Sequence, residues 1–251
     1  MDFTLNKYKE LLFALTEQKY SFQTFEYFIK KPKEKVIILR HDVDSLPSNS
    51  LRFARIQNEL GIKGVYYFRT VPESWDQQII KEIASLGHEI GYHYENLTTC
   101  NGNLEEGILD FTKNLSALRE LEPVTTICMH GSPMSKYDSK DLWKKFNYQD
   151  FGIIGEPYFD VNFDKVYYLT DTGRKWDGQK VSVRDKVKTS FQQVFHSTNQ
   201  IIDAAKKEEL PNKIMMTFHP QRWNDSIFMW SKELLLQNLK NVIKEYVLVK
   251  K

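Results

Sequence analysis

The chain reads as an α/β protein, a barrel of parallel strands slightly short of eight strand–helix repeats. Short apolar runs alternate with apolar stripes at helical spacing, the pattern of parallel strands joined by right-handed crossovers. About seven such runs fit in 251 residues, which favours a barrel over an open sheet. The runs also end alike. Val36-Ile37-Ile38-Leu39 leads into Arg40-His41-Asp42-Val43-Asp44, and Glu89-Ile90-Gly91-Tyr92 into His93-Tyr94-Glu95. Thr126 to Met129 meets His130, Val166 to Leu169 meets Asp171, and Ile214 to Phe218 meets His219. Strands buried on both faces read as continuous apolar runs, and chemistry in parallel sheets collects at the carboxyl ends of the strands. Acids and imidazoles delivered to one rim point to an active site with a metal.

Element by element, Leu5, Tyr8, Leu11, Leu12 and Leu15 recur at helical spacing and open the chain with an amphipathic helix, part of a helical extension over about residues 1–30. The first strand carries His41 to Asp44. Ser48 and Asn49 are N-cap candidates for a helix to about Leu60, which Gly61 stops. Gly64 to Phe68 is the second strand. Ser74-Trp75-Asp76-Gln77 fits a capping box for a helix that Gly87 ends. The third strand is His88 to Tyr94, and Asn103 caps a helix striped by Leu104, Ile108, Phe111, Leu115 and Leu118. The fourth strand leads to His130 and a short helix follows Asp138. Strands are expected near Phe151–Ile154 and Lys165–Thr170, then a polar stretch over Thr172–Lys186. A helix near Thr198–Leu210, the strand to His219 and a helix over Lys232–Glu245 complete one domain, 1–251, without repeats.

Composition sets bounds. The chain is 41% hydrophobic and 27% charged, as in soluble globular proteins. Its 35 basic and 33 acidic residues leave a net charge of +2, so no one-signed field argues for nucleic acid. Two cysteines make neither a disulfide framework nor a thiolate zinc site, and Cys128 is expected to be a buried thiol. The start lacks a signal-peptide pattern, and no apolar run is long enough to span a bilayer; a cytoplasmic protein is expected.

Ile38-Leu39-Arg40-His41-Asp42-Val43-Asp44, followed by Gly87-His88-Glu89-Ile90-Gly91-Tyr92-His93 and the late Phe218-His219-Pro220, resembles the polysaccharide deacetylase family, the NodB-type carbohydrate esterases. More narrowly, the chain is similar to deacetylase-like proteins of bacterial O-antigen and capsule biosynthesis. The resemblance spans roughly Val36 to Trp223. It implies a single-domain, NodB-like distorted (β/α)7 barrel and metal-dependent removal of an N- or O-acyl group from a sugar. Two departures stand out. Val43 separates aspartates that are adjacent in the family, and Leu97 occupies the position of the family's second histidine. The Arg of the family's following motif is also missing from Cys128-Met129-His130-Gly131-Ser132-Pro133.

A catalytic divalent ion needs a few Asp or His ligands and an open position. Asp44, His93 and His130 would form such a set, His130 replacing the ligand lost at Leu97, with zinc the expected ion. Asp42 would then be free to take a proton from the attacking water, and His219 to protonate the leaving group. Alternatives remain for each: Asp42 as a second ligand or an N-cap, Glu95 in place of His130, or a structural histidine at any strand end. His41 falls on the face opposite Asp42 and reads as buried or supporting; His88 reads as structural and His196 as surface. Asp171, Arg174 and Trp176 on a polar loop, with Arg222 and Trp223, are candidates to clasp a sugar, the indoles stacking on its apolar face. The competing reading for the tryptophans is that they plug the barrel mouth.

The activity expected is therefore deacylation of a small or lipid-linked acylated sugar in surface-polysaccharide synthesis. The rivals are a metal-free sugar-binding pseudoenzyme of the same fold and a metal-dependent hydrolase of cyclic or linear amides.

Overall fold

The computed structural model describes residues 1–177 and 184–243. Its centre is the strand β2 (Val36–Val43), buried along all eight residues. Around it, β3 (Val65–Phe68), β4 (Glu89–Tyr94), β5 (Ile127–Met129), β6 (Tyr167–Thr170) and β7 (Lys213–Phe218) form a parallel sheet in the order β5-β4-β3-β2-β7-β6. A short β1 (Ser21–Gln23) adds in parallel to the start of β2, with Ser21 opposite Val36. The sheet curls into a half-barrel, the distorted (β/α)7 architecture expected. Among the described residues β5 and β6 share no ladder; the gap is flanked by one parallel bridge, Thr126 to Gly155.

Strand alternation sorts the side chains into two cores. Ile37, Leu39 and Val43 of β2 face the helices with Tyr66, Phe68, Met216 and Phe218. Val36, Ile38, Val65, Tyr67, Cys128 and Met215 face the barrel interior, closed below by Phe25 and Phe28. Phe25 and Phe28 come from α2 (Phe25–Lys30), so residues 1–30 hold a strand and a plug as well as α1 (Leu5–Glu17). Inside, Gly91 is needed for space: a Cβ there would lie 2.3 Å from the Tyr67 ring.

The helices α3 (Pro47–Glu59), α4 (Gln77–Ser85), α6 (Leu104–Arg119) and α8 (Thr198–Lys206) fall where apolar spacing put them, though some caps differ. Leu46, with φ 50°, precedes α3 without a side-chain cap, and Asn49 instead donates to the carbonyls of Pro220 and Trp223. Asp76 rather than Ser74 caps α4, because the Ser74 hydroxyl is spent on the Val43 carbonyl. Asn103 caps α6 as expected. The strand expected near Phe151–Ile154 is not formed. A 3-10 turn at Tyr148–Phe151 ends in left-handed Gly152, leaving only the bridge at Gly155. Two short helices, α5 (Asn96–Thr99) and α7 (Pro157–Asp160), follow β4 and precede β6. The last helix, α9, spans Ile227–Ile243; residues 244–245 of the expected helix and 178–183 of the polar stretch lie outside the described residues.

His41 and His88 behave as structural residues. His41 stacks on Tyr66 at 4.1 Å, donates from Nδ1 to the Val65 carbonyl and meets Gln57 and Tyr8 at Nε2. Burial pulls it down to about 3, so it is neutral. His88 bridges the Ala54 carbonyl and the Gly64 amide. His196 is exposed, beside Asp177.

Gly91→Ala should lower unfolding stability by about 1–3 kcal/mol, the usual cost of overpacking a filled interior. Denaturant titration would show it; a change below a few tenths of a kcal/mol would mean that the Tyr67 ring moves aside freely.

Candidate metal centre and active site

Arg40, Asp42 and Asp44 are two residues apart, so all three side chains face the barrel interior while His41 and Val43 face the helices. The spacer Val43 therefore keeps both carboxylates on one face. Asp42 and Arg40 form a bidentate pair, Nε to Oδ1 at 2.9 Å and Nη2 to Oδ2 at 2.6 Å, with both side chains buried. Burial alone would raise the Asp42 carboxyl, but Arg40 and then His93 outweigh it and hold it below the ordinary carboxylate range.

Three imidazoles converge on Asp44 from the carboxyl ends of β4, β5 and β7. His93 Nε2 lies 3.6 Å and His130 Nε2 3.5 Å from Asp44 Oδ1; His219 Nε2 lies 3.9 Å from Oδ2. Each distance is too long for a good hydrogen bond. Each ring is fixed instead through Nδ1, by the Cys128 carbonyl at 2.8 Å, Glu95 at 2.9 Å and Asp171 at 2.6 Å respectively. In the neutral ring an acceptor at Nδ1 claims the proton and leaves the Nε2 lone pair directed inward, the tautomer a metal needs. Asp44 Oδ2 accepts from Gln221, whereas Oδ1 is buried with no hydrogen-bond partner. A buried carboxylate oxygen facing two imidazole lone pairs is unfavourable unless a cation joins them. Asp44, His93 and His130 have donor atoms within 4.8 Å of one another, so the set fits a divalent ion.

Glu95 thus lies behind His130 as an orienting carboxylate. Its second oxygen takes Arg69 Nε at 2.8 Å. Burial would raise this carboxyl, but His130 and Arg69 pull it down to about 2. Leu97, at the position where the resemblance puts a ligand, lies in α5 and packs its side chain toward Gly107 of α6, in the helix layer rather than the cavity.

The sugar-clasp expectations divide. A cavity of about 650 Å³ opens over the cluster and is lined by Asp42, Asp44, His93, His130, His219 and Arg222 among others. Arg222 does reach it, although its guanidinium also donates to Asp171. Asp171, Arg174, Trp176 and Trp223 do not line it, which corrects their expected role. Asp171 is fully buried and takes four donors: the His219 amide and ring, Arg222 and the Trp223 indole. Trp223 is 0% exposed, with Phe3 edge-on at 5.0 Å. The Trp176 indole donates to Thr198, and Arg174 lies over Trp230 with Nη1 on its carbonyl. Both tryptophans pack in the layer between the sheet and the helices, against Phe218.

Arg40 and Asp185 are additions the sequence reading did not assign. Asp185 accepts from Tyr158 and Thr170, and Tyr158 also accepts from Arg40. Period-2 spacing to Asp42 was a usable signal for Arg40; nothing local marked Asp185, which comes from a distant loop.

No family model and no curated protein matches the sequence. Among solved structures the chain is similar to a CE4 esterase from Streptococcus mutans, at 13% identity over 92% of this chain and 90% of that one, with a TM-score of 0.46. A CE4 family pseudoenzyme from Bacillus anthracis shares 14% identity over 86% of this chain and 63% of its own, at 0.44. The peptidoglycan deacetylase PdaC from Bacillus subtilis shares 10% over 86% and 99%, at 0.42. At such values the chemistry has to be argued from the site's own residues.

Arg40→Met should destabilise the fold by about 3–5 kcal/mol by stranding Asp42, while Arg40→Met with Asp42→Leu should regain most of the loss. Urea unfolding of both and of Asp42→Leu decides it; a double-variant loss equal to the sum of the two single losses would show that the pair is not energetically coupled. Metal titration followed by elemental analysis should give about one zinc or cobalt per chain, with His93→Ala and His130→Ala both losing it. Glu95→Gln should weaken affinity about 10–100-fold, as for other groups that orient a ligand. An ion retained by His130→Ala would remove His130 from the ligand set.

Proposed function

We propose that the protein is a cytoplasmic, divalent-metal-dependent hydrolase that removes an N- or O-acyl group, such as acetyl, from a sugar intermediate of surface-polysaccharide biosynthesis. One observation carries this reading: three imidazole Nε2 atoms ring Asp44, each fixed through Nδ1, at the floor of an open cavity. Asp44, His93 and His130 would hold the ion, and zinc suits a mixed N/O set with open positions. Bound there, it would supply Lewis acidity to the acyl carbonyl and lower the pKa of the attacking water.

The remaining work falls to the chain. Arg40 keeps Asp42 ionised, so its carboxylate is available to accept the proton of the water as it attacks. His219 takes the complementary part. Asp171 holds its Nδ1 proton at 2.6 Å and stabilises the imidazolium, so Nε2 can protonate the departing nitrogen or oxygen. Trp223 and Arg222 in turn pin Asp171. The buried interior below the cluster excludes water from the Asp42 side. Leu97, turned into the helix layer, leaves the His130 route to a complete ligand set open, which favours an enzyme over a metal-free relative.

With a panel of acetylated amino sugars and sugar esters, Asp42→Asn should stay folded and keep its metal, since Asp185 shares the Arg40 charge, yet lose activity. His219→Ala should lose about a hundredfold or more in kcat. Metal loss in Asp42→Asn would make Asp42 a ligand. Turnover of cyclic amides but of no acylated sugar would favour the rival hydrolase.

A further inference from the structure

The helix α9 (Ile227–Ile243) is inverted relative to a normal surface helix. Its inward face carries Gln237 and Asn241, both buried: Gln237 donates to Asn241, and Asn241 donates to the Gly173 carbonyl. Its outward face carries Phe228, Leu235, Leu239 and Val242, all exposed, with Phe228 at 73% and Leu235 at 71%. Surface helices ordinarily show the reverse, and a contiguous apolar face of this kind marks an interaction site.

Charge identifies the occupant. Phe228, Lys232, Leu235, Leu239 and Val242 follow one another at spacings of three or four and share one face of the helix. Lys232 is exposed on that face, while Lys240 and the one acid of the described helix, half-buried Glu233, lie on the side that lines the cavity. Two copies packed through this face would each bury a Lys232 ammonium on a face that carries no acid to pair it, an unfavourable burial. Anionic headgroups suit it: a lysine stem can cover apolar surface while its ammonium meets phosphate. Two more exposed apolar side chains, Leu46 and Met134, line the cavity that α9 borders through Gln237 and Lys240, with exposed Lys136 two residues beyond Met134. No helix among the described residues is long and apolar enough to cross a membrane, so such contact is interfacial.

We infer that α9, with the rim residues Leu46 and Met134, is a docking surface for an anionic lipid bilayer, and that it sets the cavity mouth against that surface. Docking requires neither the metal nor hydrolysis, so its failure and the failure of the proposed function are distinguishable. The experiment is co-sedimentation of the full-length protein with vesicles of phosphatidylcholine alone or with about 30% phosphatidylglycerol, alongside its solution mass. Wild type should be monomeric and pellet with the anionic vesicles, less so as salt rises. Lys232→Glu should weaken binding about fivefold or more, and Leu235→Glu with Leu239→Glu at least tenfold, with unchanged circular dichroism and metal content. Wild type that stays in solution with both vesicles overturns the inference. So does a dimer that Leu239→Glu converts to monomer without any vesicle binding, which would assign the face to a second copy.

Discussion

The Arg40–Asp42 pair is the constraint on which the rest of the barrel interior depends. Two charges in a space otherwise closed by Ile38, Val65, Tyr67 and Met215 persist because they are bidentate, because the Tyr158 hydroxyl accepts a further guanidinium hydrogen bond and because Asp185 lies near enough to feel the Arg40 charge. Its desolvation cost means that the pair stabilises the fold little, and removing one partner is far worse than having neither. What it provides is placement. It stands between a lower half filled mainly by apolar side chains and the polar rim where the strand ends deliver their imidazoles.

Above that division, the site follows one rule of construction. Each histidine has its far nitrogen fixed by an acceptor that the fold supplies independently: a backbone carbonyl of the neighbouring strand, a glutamate from the end of β4, an aspartate from the end of β6. The carboxylates are themselves held, Glu95 by Arg69 and Asp171 by Arg222 and Trp223. Ring orientation is therefore set before any ligand arrives, which reduces the reorganisation left for binding or reaction.

The sequence made much of this legible because the relevant signals are local. Continuous apolar runs mark buried parallel strands, and a polar residue at the end of such a run has few places to go but the rim. That logic located Asp44, His93, His130 and His219. Period-2 spacing also placed His41 away from the site, and the same spacing, applied backwards from Asp42, reaches Arg40. What stayed hidden depends on long-range packing. A tryptophan on a polar loop looks the same whether it stacks on a sugar or packs in a core, and only Phe3, Thr198 and Asp171 decide that Trp176 and Trp223 do the latter. Leu97 gave a misleading signal for a similar reason: register along the chain says nothing about which layer a one-turn helix faces. The strand near Phe151–Ile154 failed because an apolar run of four residues cannot outweigh a left-handed glycine inside it.

The anchoring of α9 has a mechanical corollary. Asn241 holds the Gly173 carbonyl and the Trp230 carbonyl holds Arg174, so the helix is fastened twice to the loop that begins at Asp171. Asp171 in turn sets the ring angle of His219. Within three residues of backbone, those fastenings lead from α9 to the carboxylate that holds His219. The helix and the imidazole therefore share one support, the loop that begins at Asp171.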